Sequence, residues 1–342
     1  MQPTSRIIHL MGTLIETRIW HHDAESILDQ VEQLLYLYKD RFSANDLTSE
    51  LMEVNLNAGV QAVPVAADLY ELIAFGKEHS LAKGSFLNIA IGPLVQSWRI
   101  GFPDARIPSQ DSIAKKLELI DPQDIVLNDV DQTVYLRKVG MAIDLGALAK
   151  GYVADKIVEF LKAMGVTSGL LNLGGNVRTV GEPSHHSDGY WRIGIQDPHN
   201  KRGKNALVLK ISEGSVVTSG VYERTLTIKD KVYHHIFNTE TGYPMETQIA
   251  SLSIISKKSL DGEVWTTRLF GAAIEEILET VHNMLEIEAV IIDHKGQVFL
   301  TAGLTGMVEY GNLVISDSFS SPTIGGFGMT VRTDVTSGAS VL

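Results

Sequence analysis

Apolar positions along the chain follow helical spacing in some segments and strand spacing in others, which predicts mixed α and β structure. Ile27, Val31, Leu34 and Leu35 recur at helical spacing within His22–Tyr38, as expected for an amphipathic helix. Further helices are predicted over Ala66–His79, Ala147–Met164, Glu263–Ala273 and Glu275–Leu285. Strands are predicted over Met11–Trp20, Gln132–Leu136, Met141–Leu145, Gly169–Val180, Trp191–Gln196, Leu207–Ser212, Tyr233–Phe237, Ala250–Ser256 and Ala289–Asp293. The elements lack strict strand–helix–strand alternation, so the pattern favours an α+β fold over a doubly wound sheet.

The end of the chain differs in composition from the rest. Asp317–Leu342 is rich in Ser, Thr and Gly and holds few large apolar residues, which is typical of flexible segments. We therefore predict one domain over residues 1–316 and a flexible tail over residues 317–342.

Composition and charge exclude several classes of function. The chain has 342 residues, no cysteine and a net charge of −12. Disulfides, cysteine-ligated zinc and thiol catalysis are excluded, and an acidic chain argues against nucleic acid or an anionic membrane as partner. We find no signal peptide and no apolar run long enough to span a membrane, so a cytoplasmic protein is predicted. A phosphate ligand would need a local cation, either a basic side chain or a bound metal ion.

A strand-to-helix junction at Ile143–Gly151 carries the first candidate site. Asp144 is expected at the end of the strand and Lys150 in the first turn of the helix. Amide groups at a helix N-terminus form an anion site together with a lysine. An ordinary junction, with an aspartate cap and a solvated lysine, remains the alternative.

A glycine pair, Gly174-Gly175, separates two apolar runs. Such a loop can press against a planar ring or a phosphate group, although a simple turn or bulge fits the same pattern.

Tandem histidines, His234 and His235, lead into a Thr-Gly-Tyr-Pro turn. A histidine at a strand end can act as a general base or contact a phosphate. One surface and one core histidine would be equally compatible with the sequence.

The predicted helix near Asp261 carries oxygen ligands suited to a metal ion. Glu263 and Thr267 are four residues apart and share a helix face. A carboxylate and a hydroxyl suit Mg²⁺, which prefers hard oxygen ligands. The alternative is a helix start with Asp261 as N-cap and Glu263 in the first turn.

In this order along the chain, the four segments resemble the ApbE family, the FAD:protein FMN transferases. Other parts of the sequence agree with the family pattern, and the resemblance covers roughly residues 7–315. They are Met11-Gly12-Thr13, Phe42-Ser43, Ser49-Glu50-Leu51 with Asn55, and Ile91-Gly92-Pro93-Leu94-Val95 with Trp98.

The resemblance implies a two-lobed α+β fold with mixed sheets and packed helices. It also implies an enzyme that splits FAD with the help of Mg²⁺. The enzyme would attach FMN through a phosphoester bond to a Ser or Thr hydroxyl of a target flavoprotein and release AMP.

By the same resemblance, Asp144 and Lys150 contact FAD, and His235 lies near the reacting phosphate, which makes these three the candidate catalytic residues. Gly174 and Gly175 belong to the flavin-nucleotide site. The flavin or adenine ring is expected against Met11, Phe86, Leu87 and Asn88. The family usually has an aspartate where this chain has Asn88.

The carbonyl of Ala147 is implied as a Mg²⁺ ligand. The family's metal-binding aspartate and threonine are four residues apart. Counting back from Thr267 gives Glu263, a glutamate in place of the aspartate. We therefore predict Glu263 and Thr267 as ligands, with Asp261 as the alternative carboxylate.

The tail matches the acceptor sequence of these enzymes, Asp-x-x-Ser/Thr-Gly-Ala-Ser/Thr, over Asp334–Ser340. An accidental match at average residue usage has a probability of roughly one in several hundred. Three hypotheses follow: an enzyme that modifies a separate flavoprotein; a carrier that loads covalent FMN onto its own Ser340; or a protein that binds or hydrolyses FAD without transfer.

Overall fold

The computed structural model describes residues 1–229, 231–309 and 328–331, and for the last range only the backbone. Within this part of the chain, eight α-helices and seventeen strands form. Helices α1–α8 span Ala24–Phe42, Glu50–Leu56, Ala67–Leu81, Gly92–Trp98, Gln110–Leu117, Ala149–Ala163, Ser259–Leu269 and Ile274–His282. Strands β1–β9 span Thr4–Leu10, Thr13–Ile19, Val63–Pro64, Ile125–Asn128, Thr133–Leu136, Ser168–Leu173, Asn176–Gly181, Trp191–Gln196 and Asn205–Ile211. Strands β10–β17 span Ser215–Gly220, Thr225–Ile228, Lys231–His234, Ile249–Ser256, Glu288–Asp293, Val298–Thr301, Val308–Glu309 and Gly328–Val331.

A nine-stranded sheet organises the fold. Its strand order is β1-β2-β6-β7-β10-β13-β14-β15-β17. Three-stranded sheets, β16-β9-β8 and β3-β5-β4, and the hairpin β11-β12 complete the described strands. The predicted α+β class is confirmed. Mixed sheets were expected, whereas every strand pair in these sheets is antiparallel.

Alternating side chains bury both faces of the large sheet. In β14, Ala289 and Ile291 pack with α8, whereas Val290 and Ile292 pack against the β8–β9 sheet. This period of two follows from strand geometry. The largest apolar cluster joins β2 and β6 to helices α1, α3 and α6. Helices therefore cover one face of the nine-stranded sheet, and a second sheet covers the other.

The predicted and observed elements differ in several places. Met141–Leu145 contributes one isolated bridge, between Ala142 and Ile91, in place of a strand. The sequence reading missed β1, and the segment predicted as a flexible tail contains β17, which pairs with β15. The predicted domain boundary at residue 316 falls outside the described residues.

Candidate active site

Several turns meet at one end of the nine-stranded sheet and form the floor of the candidate site. They are the β1–β2 turn with Met11, the β6–β7 turn with Gly174 and Gly175, and the end of β10. The Gly175 carbonyl accepts a hydrogen bond from the Thr218 amide at 3.1 Å. Gly174 has φ +63, and a Cβ there would lie 1.9 Å from Thr13 Oγ1. A glycine is therefore required for these two turns to approach.

Asp144 does not lie in a strand, and hydrogen bonds with backbone groups hold it in place. Its amide donates to the Ile89 carbonyl at 2.8 Å, and its Oδ1 accepts from the Gly146 amide at 2.8 Å. Asn55 bonds both the amide and the carbonyl of Ile143, at 2.7 and 3.0 Å. Burial raises the pKa of Asp144, against the Gly146 hydrogen bond and the charge of Arg224, which lower it.

Lys150, Glu263 and Asn176 form a polar group between α6, α7 and β7, called the Lys150 cluster below. Lys150 Nζ lies 2.7 Å from Glu263 Oε1, and Asn176 Nδ2 donates to the same oxygen at 2.8 Å. The Glu263 side chain is 4% exposed and that of Lys150 25%. Asn176 is itself fixed by Ser259, whose hydroxyl donates to Asn176 Oδ1 at 2.5 Å. Since Asn176 holds the buried Glu263 carboxylate in place, the Lys150 ammonium that pairs with this carboxylate has a defined position.

The two carboxylates of α7, Asp261 and Glu263, have different environments. This helix begins at Ser259, earlier than predicted, and its N-cap residue is Lys258, not Asp261. The cap comes from Asp155, whose oxygens accept from the amides of Ser259 and Leu260, both at 2.9 Å. Burial and the nearby charge of Asp155 raise the pKa of Asp261. The carboxylate that contacts Lys150 is therefore Glu263.

The predicted metal ligands provide a donor set that suits Mg²⁺. Glu263 and Thr267 lie one helical turn apart on α7, and Ala147 precedes the first turn of α6, which packs against α7. Both hydrogen bonds accepted by the Glu263 side chain fall on Oε1, which leaves Oε2 available. A carboxylate oxygen, a hydroxyl and a carbonyl are hard oxygen donors. Within the described residues, no group of three or more His, Asp or Glu side chains is arranged to hold a metal ion.

The two histidines differ in their environment. His234 is occupied on both ring nitrogens, because Nε2 contacts the Met245 carbonyl at 2.8 Å and Nδ1 accepts from the Ile236 amide at 3.2 Å. His235 makes one longer contact, 3.4 Å from Nδ1 to the Arg224 carbonyl. With the proton on Nδ1, the Nε2 atom of His235 carries a free lone pair.

Burial lowers the pKa of His235 to about 4, with further lowering by the positive charges of Arg224 and Lys150. His235 is therefore neutral near pH 7, as a general base must be.

An aromatic anchor fixes the turn that follows His235. Trp98 Nε1 donates to the Gly242 carbonyl at 3.0 Å, and the indole packs against Phe237 and Tyr243. The Asn238 side chain accepts from two amides inside the turn. The buried end of α4 thus holds the histidine-bearing segment against the rest of the fold.

In the Phe86–Asn88 segment, two of the three side chains are already engaged in packing or hydrogen bonds within the fold. Leu87 is 2% exposed and lies in the main apolar cluster. Asn88 donates to the Ile120 carbonyl and accepts from the Ala90 amide, both at 2.8 Å. Phe86 is half-buried, and its amide donates to the Arg268 carbonyl near the end of α7. Of this segment, Phe86 is the side chain with exposed surface and no side-chain hydrogen bond to satisfy.

Sequence reasoning gave no role to Arg224 or Asn176. Asn176 directly follows the glycine pair, a position that could have marked it. Arg224 stands in a segment without a recognisable motif, and the β11–β12 hairpin, which pairs Thr225 with His234, places its backbone beside His235. Ser340 and the whole acceptor-like segment Asp334–Ser340 lie outside the described residues.

Among the described residues, no helix is long and apolar enough to cross a membrane.

The sequence and the fold are similar to those of known proteins. A protein from Klebsiella pneumoniae named FAD:protein FMN transferase is 37% identical over 293 residues, 86% of this chain and 90% of the relative. A Treponema pallidum protein of the same name is 33% identical, covering 89% of this chain and 88% of its own. The crystal structure of the ApbE protein from Thermotoga maritima superposes with a TM-score of 0.82 at 23% identity, covering 90% of this chain and 99% of that one. The model of the ApbE family matches residues 11–291. The chain therefore belongs to the ApbE family.

Proposed function

We propose that this protein is a FAD:protein FMN transferase, which moves the FMN half of FAD to a Ser or Thr hydroxyl and releases AMP. The observation that carries the proposal is a half-buried imidazole, His235, whose Nε2 makes no hydrogen bond to the described residues, in a fold that fixes the Lys150 ammonium against Glu263 at 2.7 Å. A base beside a cation suits attack of a hydroxyl on a phosphate. Family membership and the names of the relatives support the same activity.

The chemistry is an in-line displacement at phosphorus. The acceptor hydroxyl oxygen attacks the phosphorus of the FMN half while its proton passes to Nε2 of His235. The bond from that phosphorus to the bridging oxygen breaks, and AMP leaves with the oxygen. Such reactions depend mainly on positioning and charge stabilisation, which Lys150, fixed by Glu263 and Asn176, supplies.

Mg²⁺ held by Glu263, Thr267 and the Ala147 carbonyl would stabilise negative charge on the phosphates. The oxygen donor set and the unengaged Oε2 of Glu263 support this assignment, with Asp261 less favoured because Glu263 is the carboxylate beside Lys150.

The remaining site residues would hold FAD. Asp144 and the turns with Met11, Gly174 and Gly175 are assigned to the flavin nucleotide, and the exposed edge of Phe86 to a ring. Leu87 and Asn88 would act by shaping this segment, since their side chains are already engaged.

The acceptor is proposed to carry the sequence Asp-x-x-Ser/Thr-Gly-Ala-Ser/Thr, on a separate flavoprotein or on this chain at Ser340. The register of the large sheet supports the second acceptor. Val331 pairs with Val298, which is linked through Ile292 and Ser251 to Gly220, the end of β10 at the site. Four strand spacings place Val331 roughly 19 Å from Gly220. The roughly nine residues from Val331 to Ser340 can span at most about 30 Å, enough to reach the site of the same chain.

Intact mass after incubation with FAD and Mg²⁺ tests both acceptors in one tube. The wild-type chain, a Ser340→Ala variant and an acceptor peptide are compared. We expect one FMN adduct on the wild-type chain, none on the variant, and an adduct on the peptide with either enzyme. An adduct on the peptide alone would restrict the proposal to separate acceptors. No adduct on either, with AMP and free FMN formed, would contradict transfer and indicate hydrolysis.

A further inference from the structure

We propose that Arg224 binds the pyrophosphate of FAD and is the cation that the site provides without an opposing carboxylate. This inference rests on the proposed function for the identity of the ligand. Arg224 lies between β10 and β11 and has no assigned role in the account above.

The first observation is that its guanidinium is unpaired. Within the described part of the chain, the Arg224 side chain makes no ion pair, and the contact with His235 uses only the Arg224 backbone carbonyl. Most other described arginines contact a carboxylate, including Arg178 with Asp155 at 3.2 Å and Arg192 with Asp188 at 2.6 Å. An arginine fork without an anion is suited to bind a ligand's phosphate or carboxylate oxygens.

The second observation is that the side chain has a defined direction. A Cβ on Gly12 would lie 3.2 Å from Arg224 Nη2, and a Cβ on Gly101 would lie 3.0 Å from Arg224 Cδ. The side chain therefore lies across two turns whose closest residues have no side chains. This path leads the side chain to the β1–β2 turn, beside Met11, while Arg224 stays exposed at the surface.

The third observation concerns the charges at the site. Arg224 is near enough to Asp144 and to His235 to lower the pKa of each. The charge of Lys150 is offset by Glu263 at 2.7 Å, whereas that of Arg224 is not offset by a direct partner. A pyrophosphate brings two negative charges into a protein whose net charge is −12. An uncompensated cation at this point lowers the electrostatic cost of binding that ligand.

Position favours the substrate phosphates over the acceptor protein as the anion bound. The guanidinium lies at the turn that also carries Met11, and its charge lowers the pKa of Asp144, which is assigned to the flavin nucleotide. The exposed side chain is also accessible to an acceptor aspartate six residues before the modified hydroxyl. Recognition of the acceptor by Arg224 is therefore the alternative outcome of the test.

Direct binding of FAD and of riboflavin, which has no phosphate, separates the outcomes without requiring turnover. Arg224→Gln is compared with wild type, with Arg224→Lys, and with Arg137→Gln, which removes a 58% exposed arginine elsewhere on the surface. We expect Arg224→Gln to weaken FAD binding about 10- to 100-fold, the loss typical of a hydrogen bond between charged groups. Riboflavin binding should be unchanged, Arg224→Lys intermediate, and Arg137→Gln like wild type. All variants should retain the wild-type melting temperature.

Equal FAD binding by Arg224→Gln and wild type would overturn the proposal, whether or not the protein transfers FMN. A rise in the KM for the acceptor peptide with unchanged FAD affinity would assign Arg224 to the acceptor. Equal loss of FAD and riboflavin binding would indicate a structural role only.

Discussion

Removal of divalent metal ions by excess chelator is expected to stop FMN transfer, and added Mg²⁺ is expected to restore it. The reason is that Glu263 already offsets the charge of Lys150, so this lysine adds little net positive charge at the phosphates. Without a metal ion, charge developing on the phosphates would lack its main stabilisation. The measurement is the rate of adduct formation on an acceptor peptide, with circular dichroism as the check on folding.

Two matched substitutions on α7 identify the carboxylate involved. Glu263→Gln preserves the size of the side chain and an oxygen for Asn176, and we expect a rate loss of about 10²–10³-fold. Asp261→Asn, two residues away on the same helix, should retain nearly full activity. Thr267→Ala should resemble the chelated enzyme. Full activity in excess chelator would remove the metal from the account, and a greater loss in Asp261→Asn than in Glu263→Gln would reverse the assignment.

Replacement of His235 by alanine is expected to lower the transfer rate by about 10²–10⁴-fold, the range for loss of a general base. FAD binding should change much less, since the imidazole receives a proton and does not hold the flavin. His234→Ala serves as the comparison, because His234 uses both ring nitrogens on backbone groups and should affect stability more than chemistry. Normal transfer by His235→Ala with loss in His234→Ala would exchange the two assignments.

The pH dependence of wild-type kcat/KM provides an independent check on the base. Burial lowers the pKa of His235 most, to about 4, and the positive charges of Arg224, His234 and Lys150 lower it further, against the hydrogen bond to the Arg224 carbonyl, which raises it. Protonation removes the lone pair, so activity should be lost as the pH falls through the region near 4. No loss attributable to this residue should occur between pH 8 and 6. An acid limb near the ordinary histidine pKa of about 6.5 would contradict the neutral, half-buried imidazole.

Local sequence patterns were sufficient to predict many helices and strands, and to place Glu263 and Thr267 on the same helix. The spacing of Glu263 and Thr267 placed both on one helix, and the structure has Glu263 facing Lys150. The spacing predicted the shared helix face because residues four apart are neighbours on any α-helix. Their role as metal ligands remains a prediction.

Other features depend on contacts between distant parts of the chain. The start of α7 was placed too late because its cap, Asp155, comes from α6, whereas local reasoning offered Asp261. Met141–Leu145 is extended and apolar like a strand, yet its backbone is bonded by the Asn55 side chain and so leaves the sheets. Arg224 gave no local signal, since its position is defined by Gly12 and Gly101.

The balance between AMP released and FMN attached to protein tests the central claim most directly. Wild-type protein is incubated with FAD, Mg²⁺ and an acceptor peptide, with a peptide whose final hydroxyl residue is alanine as the control. AMP is measured by chromatography and the adducts on peptide and enzyme by mass spectrometry. The account predicts one AMP for each FMN bound, summed over peptide and enzyme, and no adduct on the control peptide. AMP accompanied by an equal amount of free FMN, without any adduct, would contradict it.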